Sequence, residues 1–409
     1  MTKISTGSWK KFFLVFGPGL LVMLADTEVG SIITAGQSGI LYGYKLLLLQ
    51  IFLIPVLYIV QELTVRLGIF SGQGHMELIK NKFGKNWAYL SMFGLIIAVM
   101  GALITEFAGV AMIGELFGVT RFITLPLAAL ALLLIVFRGS YNKVEKVAII
   151  IGLFELVFFG IAWISHPNLK QLTFETFDIP LHDQKYLFYV AANIGAVIMP
   201  WMVFYQQAAI VDKGLKEKDL KNARLDTGIG AVVTQFIMIA VLVSTAATLL
   251  NKTDPNSIDS SKSLINALTP YLGVFFGKII FSIGILGAAL VAAVVSSLAL
   301  AWSIGELTGN KHSLDYKPLE APIFFGAYGF CVIGGALLVA FIPDVISLSV
   351  NVQIVNALLL PLVLGFLVAL SMKALPSQYK LKGTYLYIVI IIVLITCLFA
   401  ILGSFGGLF

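Results

Sequence analysis

The chain has 409 residues, of which 59% are hydrophobic and only 12% are charged, and its formal net charge is +6. With a mean hydropathy of +0.97, this composition excludes a soluble domain, which needs more charged residues to cover its surface. The basic residues flank apolar segments, so the positive charge does not indicate nucleic-acid binding. The two cysteines, Cys331 and Cys397, lie within apolar segments. They indicate buried packing rather than a disulfide framework or a CxxC metal site.

Apolar segments follow one another along the chain, and many are 18 or more residues long. A helix needs about 20 such residues to cross a bilayer, and the sequence lacks the alternating pattern of a membrane β-barrel. It therefore predicts an all-α membrane protein with eleven transmembrane helices. In chain order, the predicted spans cover about residues 12–40, 44–66, 88–117, 122–138, 145–165, 186–211, 228–250, 271–305, 322–343, 346–372 and 384–405.

The distribution of lysine and arginine predicts the orientation of these spans. Eleven spans place alternate connections on opposite sides, and 20 of the 27 basic residues then fall on the side of the N-terminus. Cytoplasmic loops carry the excess of Lys and Arg in membrane proteins. The pattern predicts a multi-pass protein of the cell's inner (plasma) membrane, with a cytoplasmic N-terminus and an external C-terminus.

The first span is interrupted by polar residues at its centre. Residues 25–31, Ala-Asp-Thr-Glu-Val-Gly-Ser, contain the carboxyl groups of Asp26 and Glu28 and the helix-weakening Gly30. A charged group inside a membrane is costly and indicates function by default. A loop between two short helices would also fit such a stretch, but the seven or eight apolar residues before it are too few for a span. The first span is therefore predicted to be a helix that breaks at Gly30 and carries an intramembrane acid.

The sixth span carries a second predicted break, at Pro200. Proline has no backbone N–H, and its ring displaces the carbonyl four residues earlier, which is that of Ala196. Free carbonyls at a broken helix bind cations. Met199, beside the break, has a soft thioether that favours late transition metals over magnesium or calcium.

The two broken spans are separated by five spans, which is the relation expected of two five-helix halves with inverted topology. We therefore expect residues 1–409 to form a single transmembrane transport domain. Residues 12–165 are predicted to form the first repeat and residues 186–372 the second, with 384–405 as an additional eleventh helix.

The residues of the two broken spans resemble those of the NRAMP family of proton-coupled divalent metal transporters, which have the LeuT-type fold of inverted repeats. The family's metal-binding Asp-Pro-Gly-Asn motif aligns with Glu28-Val29-Gly30-Ser31, and its Ala-x-x-Met-Pro with Ala196-x-x-Met199-Pro200. The resemblance runs over nearly the whole chain. Its further elements are Gln37, Gly39, Gln61, Arg66-Leu67-Gly68, Arg224-Leu225-Asp226, Ser296-Ser297, Gln353 and Pro361.

The chain also departs from the family at positions that matter for proton passage. Two family histidines on the sixth span are replaced by Trp201 and Gln206, and one acid of a pair on the third span is replaced by Gly109. The ninth span has no arginine where the family has one. The resemblance therefore implies a divergent member with weak or absent proton coupling, in which Glu106 is the remaining candidate proton acceptor.

The resemblance implies a site for a divalent metal that is substrate rather than cofactor. Its implied ligands are Glu28, Ser31, the Ala196 carbonyl, Met199, Gln353 and Asn356. Oxygen ligands suit hard ions, whereas the thioether favours manganese or iron, so we expect a preference for these metals with magnesium also accepted. Asp26 is an additional ligand, an acid facing an access path or the partner of a polar group on the eighth span, and the sequence does not decide among these.

Two other classes of function compete with metal transport. A membrane enzyme would need a catalytic motif such as HExxH or GxSxG, and the sequence contains neither. A LeuT-type transporter of a small organic solute, such as an amino acid or amine, is the main alternative. Glu28 would repel the carboxylate of an amino acid but not an amine. Beyond the metal ion and the lipid bilayer, the sequence indicates no partner.

Overall fold

The computed structural model describes residues 17–250, 274–341 and 346–406, and these form sixteen α-helices and two short 3₁₀ segments. The helices of the first half are α1 (Pro18–Asp26), α2 (Val29–Tyr42), α3 (Leu47–Ser71), α4 (His75–Phe83), α5 (Lys85–Leu116), α6 (Arg121–Phe137), α7 (Tyr141–Gly152) and α8 (Val157–Ile164). Those that follow are α9 (Leu169–Glu175), α10 (Gln184–Val197), α11 (Pro200–Asp212), α12 (Leu220–Leu249), α13 (Val274–Thr308), α14 (Pro322–Phe341), α15 (Ile346–Lys373) and α16 (Gly383–Gly406).

The helices of this chain form segments that are long and apolar enough to cross a membrane. Within the described ranges nine segments meet that description, and α1 with α2, bent by 50° at their junction, forms a tenth. The remaining predicted span corresponds to α6, which has 17 residues and lies at the short end of the lengths that cross a bilayer. The chain is thus a multi-span helical membrane protein, and the count of eleven stays a prediction that depends on α6.

The core of the bundle surrounds the two interrupted spans. Helix α12 packs against α1, α2 and α3, while α10 packs against α15 and α16. Glycines permit the closest of these approaches: a Cβ on Gly39 would overlap the Leu242 carbonyl, and one on Gly403 would overlap that of Leu187. Small residues let membrane helices bring their backbones together, because no water-driven force pulls them into contact. The interrupted spans are therefore held on several sides by continuous helices.

The fifth span contains an irregularity that the sequence did not predict. Its helical path changes from α7 to α8 through a 3₁₀ segment, Leu153–Leu156, which carries the fully buried Glu155. Gly152 lies against Leu24 of α1, and Gly287 of α13 lies against Ile151 and Phe154. A 3₁₀ stretch inside a longer helix often marks a functional hinge. The irregular segment thus lies beside the end of α1.

The predicted orientation can be tested by cysteine labelling. Lys218 and Lys170 are both exposed and lie in connections that the prediction places on opposite sides of the membrane. We expect a cysteine at position 218 to react with impermeant reagent only from the cytoplasmic side, and one at 170 only from outside. Cys331 and Cys397 are buried, so the wild-type chain is the unlabelled control. Asn256, in a connection also predicted to be external, lies outside the described residues.

Labelling of both positions from the same side would contradict the eleven-span topology. Only the sixth span, α10 with α11, separates the two positions, so this result would mean that the sixth span does not cross the membrane.

Candidate functional site

The break in the first span lies at Thr27 and Glu28. The N–H of Thr27 bonds to the Leu24 carbonyl, which tightens the end of α1, and Glu28 then adopts an extended conformation before α2 begins at Val29. This corrects the prediction that Gly30 marks the break, because Gly30 lies inside α2. The absence of a side chain at Gly30 instead allows Gln353 and Glu28 to approach closely. A Cβ at this position would lie 2.5 Å from Gln353 Nε2 and 2.9 Å from Glu28 Oε1.

The sixth span is interrupted at Ile198 and Met199, immediately before Pro200. Both residues leave the helical conformation, and Pro200 begins α11 at a position where its missing N–H is tolerated. The carbonyl of Ala196 therefore lacks its helical donor. It accepts a hydrogen bond of 2.8 Å from the hydroxyl of Ser31. This bond joins the two interrupted spans at their breaks.

The carboxyl group of Glu28 is fully buried between these spans and α15. Its Oε1 accepts a hydrogen bond from Gln353 Nε2, and Oε2 has no protein donor. Asn356 supports Gln353 through a 3.0 Å bond from its Nδ2 to Gln353 Oε1, while its own Oδ1 has no donor. The site thus has two unpartnered acceptor oxygens, Glu28 Oε2 and Asn356 Oδ1, in a fully buried position. Such oxygens are costly to bury without a partner.

Glu106 brings a second carboxyl group to the same place. It lies close to Glu28, and its hydrogen-bond donors are the backbone N–H of Val29 at 3.4 Å and the Thr105 hydroxyl at 3.2 Å. The geometry therefore makes Glu106 a neighbour of the predicted metal ligand.

The structure brings most of the predicted ligands together. Glu28, Gln353 and Asn356 form one hydrogen-bonded chain, and Ser31 with the Ala196 carbonyl forms another. Met199 is fully buried at the extended turn before Pro200. In the described part of the chain, no group of three or more His, Cys, Asp or Glu side chains is placed to hold a metal. A cation bound here would depend on one or two carboxyl groups with neutral oxygen and sulfur donors.

Asp26 does not join this hydrogen-bonded set. It is 2% exposed, its Oδ1 has no hydrogen-bond partner, and its carboxyl group lies near those of Glu28 and Glu155. Glu155 was missed from the sequence, although the signal was present: it is an acid within the apolar run of the fifth span.

Polar contacts join the helices on both sides of the site. At the start of α1, the Asp226 carboxylate accepts hydrogen bonds from the N–H groups of Gly17, Gly19 and Leu20 at 3.1, 2.7 and 3.2 Å, and so caps this helix. Nearby, Glu62 pairs with both Arg66 and Arg224 at 2.6 Å.

On the opposite side, the Tyr189 hydroxyl donates to Gln37 at 2.8 Å, and the Tyr42 hydroxyl donates to Asp183 at 3.2 Å.

A glycine at the contact between α10 and α15 controls the position of Gln353. A Cβ on Gly195 would overlap the Gln353 carbonyl oxygen and lie 2.8 Å from Ala357 N. We expect Gly195→Ala to push α15 away and to lower substrate uptake at least tenfold, because a site displaced by about 1 Å loses its geometry. Initial uptake rates in proteoliposomes measure this effect. Gly365→Ala on the same helix, where a Cβ meets open space, is the matched control and should retain uptake; equal loss in both would argue against this role of Gly195.

Comparison with solved structures identifies the fold to which this arrangement belongs. A manganese transporter from Eremococcus coleocola superposes with a TM-score of 0.77 at 19% sequence identity, over 98% of this chain and 87% of that one. MhsT in complex with L-phenylalanine superposes with a TM-score of 0.61 at 16% identity, over 95% of this chain and 98% of that one. The chain therefore has the LeuT-type fold that the sequence predicted.

The family model for "Natural resistance-associated macrophage protein-like" (Nramp) proteins matches residues 19–405, and the chain belongs to this family. Similar relatives include the divalent metal cation transporter MntH of Yersinia pestis, 28% identical over 295 residues that cover 70% of this chain and 71% of the relative. MntH of Staphylococcus haemolyticus is 26% identical over 313 residues, covering 71% and 69%. The family resemblance seen in the sequence is thus confirmed.

Proposed function

We propose that this protein transports divalent metal cations across the plasma membrane by alternating access around Glu28. The observation that carries the proposal is a fully buried carboxyl group at the meeting point of two interrupted spans, with an unpartnered oxygen. An acid within a membrane bundle is costly unless it serves an ion or a partner. The relatives named as divalent metal cation transporters and the manganese transporter of similar fold support the same substrate class.

The ligand set proposed from the sequence is Glu28, Ser31, the Ala196 carbonyl, Met199, Gln353 and Asn356. Two of its oxygens, Glu28 Oε2 and Asn356 Oδ1, lack donors and are free to bind a cation. Gln353 directs its amide N–H₂ at Glu28, and a bound cation would repel that group. We propose that the Gln353 amide turns when metal binds, so that its oxygen faces the ion in place of its nitrogen.

We propose a preference for manganese- or iron-like ions, with magnesium accepted less well. Met199 supplies the soft donor for this preference, and the other proposed ligands are oxygens. The direct test is uptake of Mn²⁺, Mg²⁺ and Ca²⁺ in parallel into proteoliposomes. An uptake of amino acids or amines without any metal uptake would favour the organic-solute alternative and would overturn this proposal.

Replacing Met199 with alanine is expected to change selectivity rather than abolish transport. Loss of the thioether should lower Mn²⁺ uptake about tenfold while Mg²⁺ uptake is kept, because magnesium gains little from sulfur. Competition of Mg²⁺ against Mn²⁺ uptake measures the ratio. Met112→Ala removes a thioether from a Met on α5 that the proposed ligand set does not include, and it should keep the wild-type ratio. An unchanged ratio in Met199→Ala would remove the sulfur from the ligand set.

The proposed transport cycle uses the two predicted repeats, residues 12–165 and 186–372, with 384–405 as an additional helix. Each repeat contributes one interrupted span, and the carbonyl–hydroxyl bond between Ala196 and Ser31 joins them. The caps and ion pairs on one side and the tyrosine contacts on the other are candidates for the gates. We further propose a cytoplasmic N-terminus, an external C-terminus and weak or absent proton coupling.

A further inference from the structure

Two buried carboxyl groups outside the Glu28 site have no counter-charge. Asp26 is 2% exposed and Glu155 is fully buried. In the described part of the chain, neither takes part in an ion pair, and three of their four carboxyl oxygens make no hydrogen bond: Asp26 Oδ1, Glu155 Oε1 and Glu155 Oε2. Buried polar groups in native proteins are almost always satisfied, so this concentration of unpartnered oxygens requires an explanation.

The two acids lie where two irregular helices meet. Asp26 is the last residue of α1, and Glu155 lies in the 3₁₀ segment of the fifth span. The Thr27 side chain lies beside Glu155, and its hydroxyl is 2.5 Å from that of Thr234 on α12. The first span, the fifth span and α12 therefore bring carboxyl and hydroxyl groups to the break of the first span.

We propose that Asp26, Thr27, Glu155 and Thr234 form a second cation site, which binds a hard cation through oxygen atoms only. Carboxylate and hydroxyl oxygens are the donors that ions such as Na⁺ and Mg²⁺ prefer, and the four side chains offer neither sulfur nor nitrogen. A cation, with the water molecules that complete its shell, would satisfy all three unpartnered oxygens together. Protonation alone would give each acid a single O–H donor and would leave its other oxygen without a partner.

The second site differs from the Glu28 site in chemistry and in place. The Glu28 site is built on α2, α10 and α15 and includes Met199, whereas the second site is built on the end of α1, the fifth span and α12. Thr27 and Glu28 are adjacent, so a cation bound to the second site would stiffen the break that carries Glu28. This link to transport depends on the proposed function, but binding at the second site does not.

Thermal unfolding of the purified full-length protein tests the binding directly. Cation bound only to the folded state raises the midpoint in a saturable manner. We expect the wild-type midpoint to rise with Na⁺ or with Mg²⁺ when choline chloride keeps the ionic strength constant and Mn²⁺ is absent. The two titrations identify which hard cation the site takes. In Glu155→Gln, the concentration that gives half of the rise should increase at least tenfold.

Glu306→Gln is the matched control for removing a buried acid. Glu306 is 4% exposed but accepts hydrogen bonds from Met76 N and Glu77 N, so its loss should lower the midpoint without changing the response to cations. Thr234→Val, which keeps the shape of the side chain, provides a second variant if Glu155→Gln does not fold. A response that is equal in the wild type, Glu155→Gln and Thr234→Val would overturn the proposal, as would the absence of any response to Na⁺, Mg²⁺ or Ca²⁺.

The same titration in Glu28→Ala separates this inference from the proposed function. If the cation response persists there while Mn²⁺ uptake is lost, the two sites are distinct and both proposals stand. If the wild type takes up no divalent metal, yet the response disappears only in Glu155→Gln and Thr234→Val, the second site stands without the proposed function. A response lost in Glu28→Ala but kept in Glu155→Gln assigns it to the Glu28 site and overturns the second one.

Discussion

Replacing Glu28 with alanine is expected to abolish Mn²⁺ uptake. Glu28 supplies the charge of the proposed site, and its Oε2 has no protein partner to lose. Changes to residues that only support a metal ligand cost about 10–100-fold in affinity or activity, so loss of the charged ligand itself should cost about a hundredfold or more. The measurement is the initial rate of ⁵⁴Mn²⁺ uptake into proteoliposomes at several metal concentrations.

The same substitution should leave the bundle folded. Glu28 forms no ion pair in the described part of the chain, and its side chain makes no capping bond to α2. A charge without a counter-charge inside the membrane destabilises the fold, so its removal should not lower the stability of the bundle. Expression and the elution profile in size-exclusion chromatography should therefore match the wild type. Glu115→Ala, which removes an exposed partner of Arg121, is the control and should keep uptake; wild-type uptake by Glu28→Ala would direct attention to Asp26 instead.

The positions of the breaks could be predicted from the sequence because their causes are local. Pro200 frees a carbonyl four residues earlier by its covalent structure alone, and the structure shows Ala196 O bonded to Ser31. The acids at 26 and 28 stand out against an apolar background, so the first break was expected within a few residues. The prediction for Gly30 was wrong because it considered only the local effect of glycine, which weakens a helix. In the structure, the absence of a side chain at Gly30 makes room for Gln353 of α15.

Contacts between spans could not be predicted from the residues alone. The proximity of Glu28 and Glu106, and the approach of Glu155 to Thr27, both depend on how three helices pack. Helical periodicity predicts which residues share a face of one helix, but it does not predict which neighbouring helix packs against that face. Glu155 also lies in a 3₁₀ segment, where the helical repeat changes. A single acid in an apolar run indicates a functional position, but the sequence does not show which groups surround it.

Proton coupling is expected to be weak because residues that do not titrate near neutral pH occupy the positions of the family's proton carriers. Trp201 and Gln206 occupy the positions of the family histidines that the resemblance implies, and neither titrates near neutral pH. Gln206 instead donates to the Thr227 hydroxyl at 2.9 Å.

The route toward the ninth span is closed by apolar groups. A Cβ on Gly109 would meet the Val29 side chain, so a larger residue has no room there. Gly335 of α14 lies against Leu103 and Phe107 of α5, which fills the contact between the third and ninth spans with carbon atoms. A proton on Glu106 therefore has no titratable carrier toward the sixth or ninth span among the positions compared with the family, and its passage in those directions would depend on water.

We accordingly expect metal uptake to follow the membrane potential. A potential of 100 mV acting on a divalent cation supplies about 2 × 2.3 kcal/mol, which corresponds to an accumulation of more than roughly a thousandfold at equilibrium. The experiment imposes a potassium–valinomycin potential on proteoliposomes and records Mn²⁺ uptake together with an internal pH dye. Uptake should increase with the imposed voltage while the dye signal stays flat. Acidification that depends on metal and disappears in Glu106→Gln would show that Glu106 passes protons despite the missing histidines and arginine. Acidification retained in Glu106→Gln would assign the proton path to other residues, and weak coupling would again be wrong.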